Sequence, residues 1–424
     1  MEVHLKKRWP YYLSGVIIFI IILYEAQGND GDFKIFISAS RDLLLGNNIY
    51  KIQYNNWYHY YYDILFALIL VPFTYLPLYV VKIIWLIFNV FFVYRIWQIL
   101  LGWLPLSLLE KNSRRWLFIL SFIFILSFLR DNFYHAQVTI FILYLTLEGL
   151  YLITTNRRIA GSMLLAFGID MKLLPLVMIP YLIYKKDWKS TLYILGFVVI
   201  FLSLPIAFIG YDFNKFLLLE RWQLINPLNH EQILDTAERS FHSLTTLLST
   251  LLVKDCGDMQ VLPLKRNIAD ISIESLNLVI NIVRAFFVLL TLYFLRKKPF
   301  VPTTNNLQRL YEISYLCLII PLIFPHQQHY AFFFIFPAST YLLFYIISQF
   351  FNKKHARSSR NFKVKKIVIV VLMSIAYFLT NGHFILGEFN RFYDHYKTLT
   401  YGVLLLIIIL AVCTPERIIK EDSL

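Results

Sequence analysis

The run "VVKIIWLIFNVFFVYRIWQILL", Val80–Leu101, decides the class of this chain. It is apolar around its whole circumference, broken only by Lys82, Asn89, Arg95 and Gln98. It is as long as the roughly 20 residues a helix needs to cross a hydrocarbon core. An amphipathic surface helix would instead carry a continuous polar face. "LSGVIIFIIILY" (Leu13–Tyr24) and "YGVLLLIIILAVC" (Tyr401–Cys413) repeat the pattern towards the two ends. Composition agrees: of 424 residues 58% are hydrophobic and 16% charged, with a mean hydropathy of +0.60. A soluble domain is about a quarter charged. The expected fold class is therefore an all-α polytopic membrane protein.

Apolar runs separate into about twelve expected transmembrane helices. They lie near 11–26, 62–78, 80–102, 116–130, 137–154, 159–184, 190–209, 272–295, 309–324, 330–350, 366–381 and 399–414. Basic clusters orient them, because Lys and Arg collect in cytoplasmic loops. "HLKKRW", "KKDWK" (185–189), "RKK" (296–298) and "KKHARSSRNFKVKK" (353–366) agree with one alternating path. Both termini are then cytoplasmic, and 27–61, 210–271, 324–330 and 382–398 are external. "EKNSRR" (110–115) and "TNRR" (155–158) come out external on this path, against the rule, so the topology of 100–160 stays open. The external segments are expected to hold short interfacial helices. The basic, then apolar N-terminus reads as an uncleaved signal anchor. No repeat or linker divides the chain, so 1–424 is expected to form one membrane domain. The net charge of +14 suits anionic lipid and is weak evidence for nucleic acid, which is not expected as a partner. Cys256, Cys317 and Cys413 are scattered, with neither metal spacing nor a disulfide framework.

The first external segment carries "GNDGDFKIFISASRDLLLGNNIY", Gly28–Tyr50. Asp30, Asp32 and Asp42 form an acidic cluster beside a membrane span. Asp32 is placed to cap a short helix, and Gly46 to end it. Phe33, Phe36, Ile37, Leu43 and Leu44 give that helix an apolar side, which predicts a helix lying on the outer surface. Capping alone would explain Asp32, yet a cap can also face a site. The following "YKIQYNNWYHYYYD" is dense in aromatics, Asn, Gln and His. An aromatic belt at the membrane boundary accounts for much of it. The same residue types suit sugars, whose C–H faces stack on rings and whose hydroxyls take polar partners.

Ionisable groups at membrane depth are costly and mark functional positions. Lys172, in "GIDMKLLPLVMIPYL", lies mid-run, and Pro175 and Pro180 are expected to bend or break its helix. It is either paired or snorkelling, or a receiver for an anionic headgroup. Arg130, Arg284, Glu148 and Lys82 are undecided on sequence. His326 and His329 in "FPHQQHY" would share a face if helical, but no third ligand is near, so no metal site is expected.

In order along residues 10–350, "DGDF", "LLLGNNIY", "YYYDILFALILVPFTYLP", "HAQVTIFILYLTLEGLYLITTNRRIAGSMLLAFGIDMKLLPLVMIPYLI", "FHSLTTLL" and "FPHQQHY" resemble glycosyltransferase family 87. That family is part of the multispanning GT-C superfamily. The resemblance implies a GT-C-type membrane hexosyltransferase that uses a polyprenyl-phosphate sugar, notably a mannosyltransferase. Its Asp-Phe, Gly and Tyr pattern looks like Asp32, Phe33, Gly46 and Tyr50. Its aromatic-Pro pair looks like Tyr62, with Asp63 in place of the proline. Its Gly-Gln looks like Ala136-Gln137, its Lys-Pro like Lys172 with Pro175 displaced, and its His-Tyr like His329 and Tyr330. In such chemistry an acceptor hydroxyl attacks the anomeric carbon with inversion and polyprenyl phosphate leaves. Asp32 is the expected base and Asp30 its alternate. Lys172, His329, Arg130 and Arg239 are the phosphate-side candidates, and Tyr50, Tyr62, Gln137, His326 and Tyr330 the substrate-side ones. No cofactor or obligatory metal is expected. The expected partners are the lipid-linked donor, a glycan or glycolipid acceptor and membrane lipids. The expected setting is a bacterial cytoplasmic membrane. Two other classes stay open: a lipid-linked glycan flippase or transporter, which would more commonly show internal repeats, and an O-antigen-type polymerase or ligase centred on His230, Arg239 and His242.

Overall fold

The computed structural model describes residues 20–21, 24, 31–55, 58–226, 240–254, 256, 262–295, 299–303, 305–350, 360–416 and 418. Among these residues there is no strand, only two isolated bridges, Tyr54 with Tyr58 and Phe241 with Gln328. Among the described residues six helices are long and apolar enough to cross a membrane, and a bent pair makes up to seven. They are Leu78–Trp103, Lys111–Tyr134, Trp188–Ile209, Ile273–Leu295, His329–Gln349 and Val364–Ile385. The chain is thus a polytopic helical membrane protein, but not one of twelve spans.

The shortfall has local causes. The expected span 62–78 is a seven-residue helix, Ile64–Leu70, that tightens into a 3-10 turn, Val71–Tyr75. Pro72 stands near the start of that turn and Pro77 follows it. The expected span 159–184 breaks where Arg158–Met171 gives way to extended backbone at Lys172, because the ring of Pro175 would clash with the carbonyl of Met171 if the helix ran on. Asn306–Ile323 has a polar first half with Gln308, Arg309 and Glu312. Thr398–Val412 is short and joins Gly387–His395 at a 73° bend. The opposite correction applies to 116–130, which belongs to a longer helix, Lys111–Tyr134. Of the expected span 11–26, only Ile20, Ile21 and Tyr24 are among the described residues.

The packing divides into two compact units. Unit 1 comprises 1–96, 130–173 and 194–225. Its helix Gly31–Leu44 closes as the sequence predicts: Gly46 adopts φ +75°, the Asn47 N–H donates to the Asp42 carbonyl at 3.0 Å, and the Gly46 N–H donates to Leu43 at 3.1 Å. That is the Schellman arrangement. The helix is more than a surface element, since Phe33, Ile35, Phe36, Ile37 and Leu43 are all buried and it packs on Ile64–Leu70 and the turn after it. Leu44, expected on the apolar side, is exposed. Thr139–Thr154 and Arg158–Met171 form a tight antiparallel hairpin through Asn156 at φ +65°. Glycine makes the close approach possible: a Cβ on Gly161 would lie 2.5 Å from the Gly149 carbonyl oxygen. The hairpin carries Gln137 just before its first helix and Lys172 just after its second, so both end up at the same edge.

Unit 2 comprises 97–129, 174–193 and 226–424. Asn306–Ile323 and His329–Gln349 are its core. Phe294 stacks on Tyr315 at 3.9 Å, and Tyr311 meets Tyr341 edge to face at 5.4 Å. Glu312 is a buried charge with a full set of donors: Lys185 Nζ at 2.7 Å, Gln308 Nε2 at 2.9 Å and the Tyr181 hydroxyl at 3.0 Å. Within this unit Ile273–Leu295 shows the opposite character, leaving Leu278, Ile282, Phe286, Leu289 and Leu292 exposed as a surface for lipid.

Gly161→Ala should lower thermal stability in detergent by about 1–3 kcal/mol, because the added methyl has no room. Gly196→Ala, with nothing within 4 Å of its Cβ position, should be neutral or stabilising. Paired melting curves check both.

Candidate functional site

In unit 1 the expected residues converge. Asp32 lies in the first turn of Gly31–Leu44 rather than at its cap, where a carboxylate suits the helix dipole. Its Oδ2 accepts a hydrogen bond from the Gln137 amide. Gln137 is fixed from two further sides: its N–H donates to the Asn132 carbonyl at 2.9 Å, and the Trp85 indole N–H donates to its carbonyl at 3.2 Å. The turn that presents it forces Ala136 to φ +46°, a region that favours glycine. On the facing side Gly31 adopts φ +48°, and a Cβ there would lie 3.2 Å from His135 Cα. Glycine at 31 therefore lets the two backbones approach and brings Asp32 to Gln137.

Lys172 is half-buried, with Nζ 5.8 Å from the Tyr62 ring centroid. The charge of Asp32 acts on both Lys172 and Tyr62. Tyr62 packs edge to face on Phe36 at 4.8 Å, and Phe33 stacks on Trp85 at 6.0 Å. Tyr50 stands one step behind, donating its hydroxyl to the Tyr62 carbonyl at 3.0 Å. Burial pushes the phenols of Tyr50, Tyr60 and Tyr62 well above their ordinary range, so they act as neutral hydroxyls. An acid, an amide, an ammonium and a ring thus share one edge of unit 1.

Beneath this edge sits a pair that the sequence reading missed. Asp63 caps Ile64–Leu70 by accepting from the Leu65 N–H at 2.7 Å, and its other oxygen accepts from Arg221 Nη1. Arg221 Nη2 donates to the Asp170 carbonyl at 2.5 Å. Both charged side chains are buried. Asn214, Leu217 and Arg221 form the buried stripe of Tyr211–Ile225. An arginine set among apolar residues in Tyr211–Ile225, with an unexplained Asp63 elsewhere, was the available signal.

Unit 2 holds a second polar cluster. His329 is buried and stacks on Phe128 at 4.5 Å. It lies 5.5 Å from the His383 ring. Asp394 Oδ1 is 3.3 Å from His383 Nδ1 and 3.7 Å from His242 Nε2. Lys397, fully buried at φ +52°, completes the group. His326 stacks on Phe241 at 5.2 Å. It does not share a helical face with His329, as expected from sequence, because its φ is +54° and the 3-10 turn begins at His329. Tyr330 is half-buried in that turn. Sequence reasoning missed His383, Asp394 and Lys397, which lie far along the chain from the histidine motif. Arg130 is exposed near the end of Lys111–Tyr134. Asp30, Arg239 and His230 lie outside the described residues.

A membrane-embedded helical chain with this acid, amide and cation edge has the makings of a glycosyltransferase. The model of glycosyltransferase family 87 matches residues 60–298, more than half of the chain, and the chain belongs to that family. No curated protein and no solved structure matches it. The matched region includes Tyr62, Gln137, Lys172, Arg221 and His242, and stops short of Asp32 and His329. Family membership makes the protein a glycosyltransferase, with a sugar donor and an acceptor as substrates.

Two outcomes are expected here. Ala136→Gly, which relieves the left-handed backbone, should keep activity within about twofold, whereas Ala136→Val should lose stability and activity together by about 1–3 kcal/mol; melting curves beside turnover assays check this. Burial, then the nearby Lys397, His329 and His383, hold the His242 imidazole well below its usual 6.5. The unfolded chain then binds a proton that the folded chain refuses. Stability should fall as pH drops through about 6.5, by up to about 1.4 kcal/mol per pH unit. His242→Gln should flatten that slope in melts from pH 7.5 to 5.5.

Proposed function

We propose that the protein transfers a sugar from a polyprenyl-phosphate donor to a glycan or glycolipid acceptor, with inversion, on the external face of a bacterial cytoplasmic membrane. The observation that carries the reading is the meeting of Asp32, Gln137, Tyr62 and Lys172 at one edge of unit 1. Asp32 is the base: it takes the proton of the acceptor hydroxyl as that oxygen bonds to the anomeric carbon. The bond from that carbon to the phosphate oxygen breaks, and the polyprenyl phosphate leaves with the electron pair. Lys172 stabilises the negative charge left on the phosphate. Gln137 holds the Asp32 carboxylate in place and Tyr62 offers a ring face to a sugar. His329, Arg130 and Arg239 are further phosphate-side candidates, Asp30 the alternate base, and Tyr50, His326 and Tyr330 further substrate-side ones. No obligatory metal is needed in this scheme, because side-chain cations meet the leaving group. Both termini face the cytoplasm, and residues 1–424 act as one membrane domain.

Purified protein in detergent should convert at least one member of a panel of polyprenyl-phosphate sugars, read by mass spectrometry of the lipid-linked products. Product without a sealed membrane separates a transferase from a flippase. Asp32→Asn should fold normally and lose at least about 10²-fold in turnover. Near-normal turnover in that variant would remove Asp32 as the base and promote Asp30.

A further inference from the structure

Arg221 grips the segments that carry both Tyr62 and Lys172. One arm holds the carboxylate of Asp63, the residue after Tyr62. The other holds the carbonyl of Asp170, two residues before Lys172. At that point the helix Arg158–Met171 ends and the backbone turns extended. The Asp170 carbonyl lies in the last turn of that helix, where backbone acceptors have no partner within the helix, and the guanidinium supplies one. Arg221 is almost fully buried, so its planar fork is held by packing as well as by its hydrogen bonds. A lysine would supply the charge but could not span both acceptors with the same fixed geometry. The Asp170 carboxyl lies against Asp63 beside this guanidinium, and burial together with the Asp63 charge raises its pKa, so the two acids share a proton rather than carry two negative charges. One arm of the guanidinium is committed to a main-chain oxygen, more than a simple counter-charge for Asp63 requires.

We infer that Arg221 is a positioning residue for the donor: by tying Asp63 to the Asp170 carbonyl it sets the separation of Tyr62 from Lys172, and so the place of the ammonium that meets the donor phosphate. This rests on the reading of Lys172 given above. Arg221 acts through Lys172 and does not itself touch the reacting atoms.

The test uses the neutral double variant Asp63→Asn with Arg221→Met, which keeps a capping side chain, fills the arginine's volume and strands no Asp63 charge. Arg221→Lys is the companion. Each is read in three ways: thermal melting, the split of donor KM from kcat, and the rate at which an amine reagent labels Lys172 relative to buried Lys82, followed by peptide mass spectrometry. The double variant should melt as a folded protein, show donor KM raised by about tenfold with kcat changed far less, and label Lys172 severalfold faster. Arg221→Lys should recover only part of the donor KM. If Arg221 only neutralises Asp63, the double variant keeps wild-type donor KM and wild-type Lys172 labelling, and that result overturns the inference. If the double variant does not fold, Arg221→Lys decides on the same readouts. A wild-type protein that makes no product from any polyprenyl-phosphate sugar sinks the donor reading instead, and Lys172 labelling still decides whether Arg221 positions that side chain.

Discussion

The buried pair of Asp63 and Arg221 is the constraint on which the working edge of unit 1 depends. Removing one partner of such a pair costs about 3–5 kcal/mol, chiefly because the other is left charged and unsolvated. The pair joins three elements: the helix Ile64–Leu70 that Asp63 caps, the end of Arg158–Met171, and the helix Tyr211–Ile225 that supplies the arginine. Where the family resemblance leads one to expect a proline, this chain has an aspartate. A proline would start the helix through its fixed φ and ask for nothing further. The aspartate starts it by a hydrogen bond and adds a buried charge, which needs a mate. Arg221 meets that need and gives the structure a tie that a proline would not.

Rigidity on the other side of the edge comes from packing. Phe33, Phe36, Tyr62, Phe66 and Trp85 form a connected set of ring contacts. The Trp85 indole adds direction, since its single donor goes to the Gln137 carbonyl. The amide that holds Asp32 is thereby fixed at its backbone by one tryptophan and one asparagine carbonyl. A carboxylate that must accept a proton in a defined direction gains from such a mount, because its orientation does not have to be found anew in each cycle.

Class and local punctuation were legible in the sequence, because they depend on short-range physics. Uninterrupted apolar runs imply membrane helices, Gly46 ends its helix in the left-handed region, and Pro175 stops the helix before Lys172. The gathering of Asp32, Tyr62, Gln137 and Lys172 came from resemblance, and the backbone geometry supplies its physical cause at Gly31 and Ala136. The number of spans was not legible. Apolar content alone does not separate a helix that crosses from one that stops halfway, and Ile64–Leu70 and Thr139–Thr154 are apolar but short. Arg221, His383, Asp394 and Lys397 were invisible for another reason. Arg221 and Asp394 take their meaning from Asp63 and His242, each more than a hundred residues away in the chain, His383 from contacts with Asp394 and His329 across turns that only the fold creates, and Lys397 from its left-handed backbone, and no local pattern announces such pairings.

The tight glycine crossing of the hairpin has a consequence for the edge it carries. Its two helices have 16 and 14 residues, which at a rise of 1.5 Å give lengths of about 24 and 21 Å. A typical hydrocarbon core is about 30 Å thick. The glycines lock these short helices side by side, so tilting one against the other cannot lengthen the wall they form. The open end of the hairpin, with Gln137 before one helix and Lys172 after the other, is therefore carried as one piece.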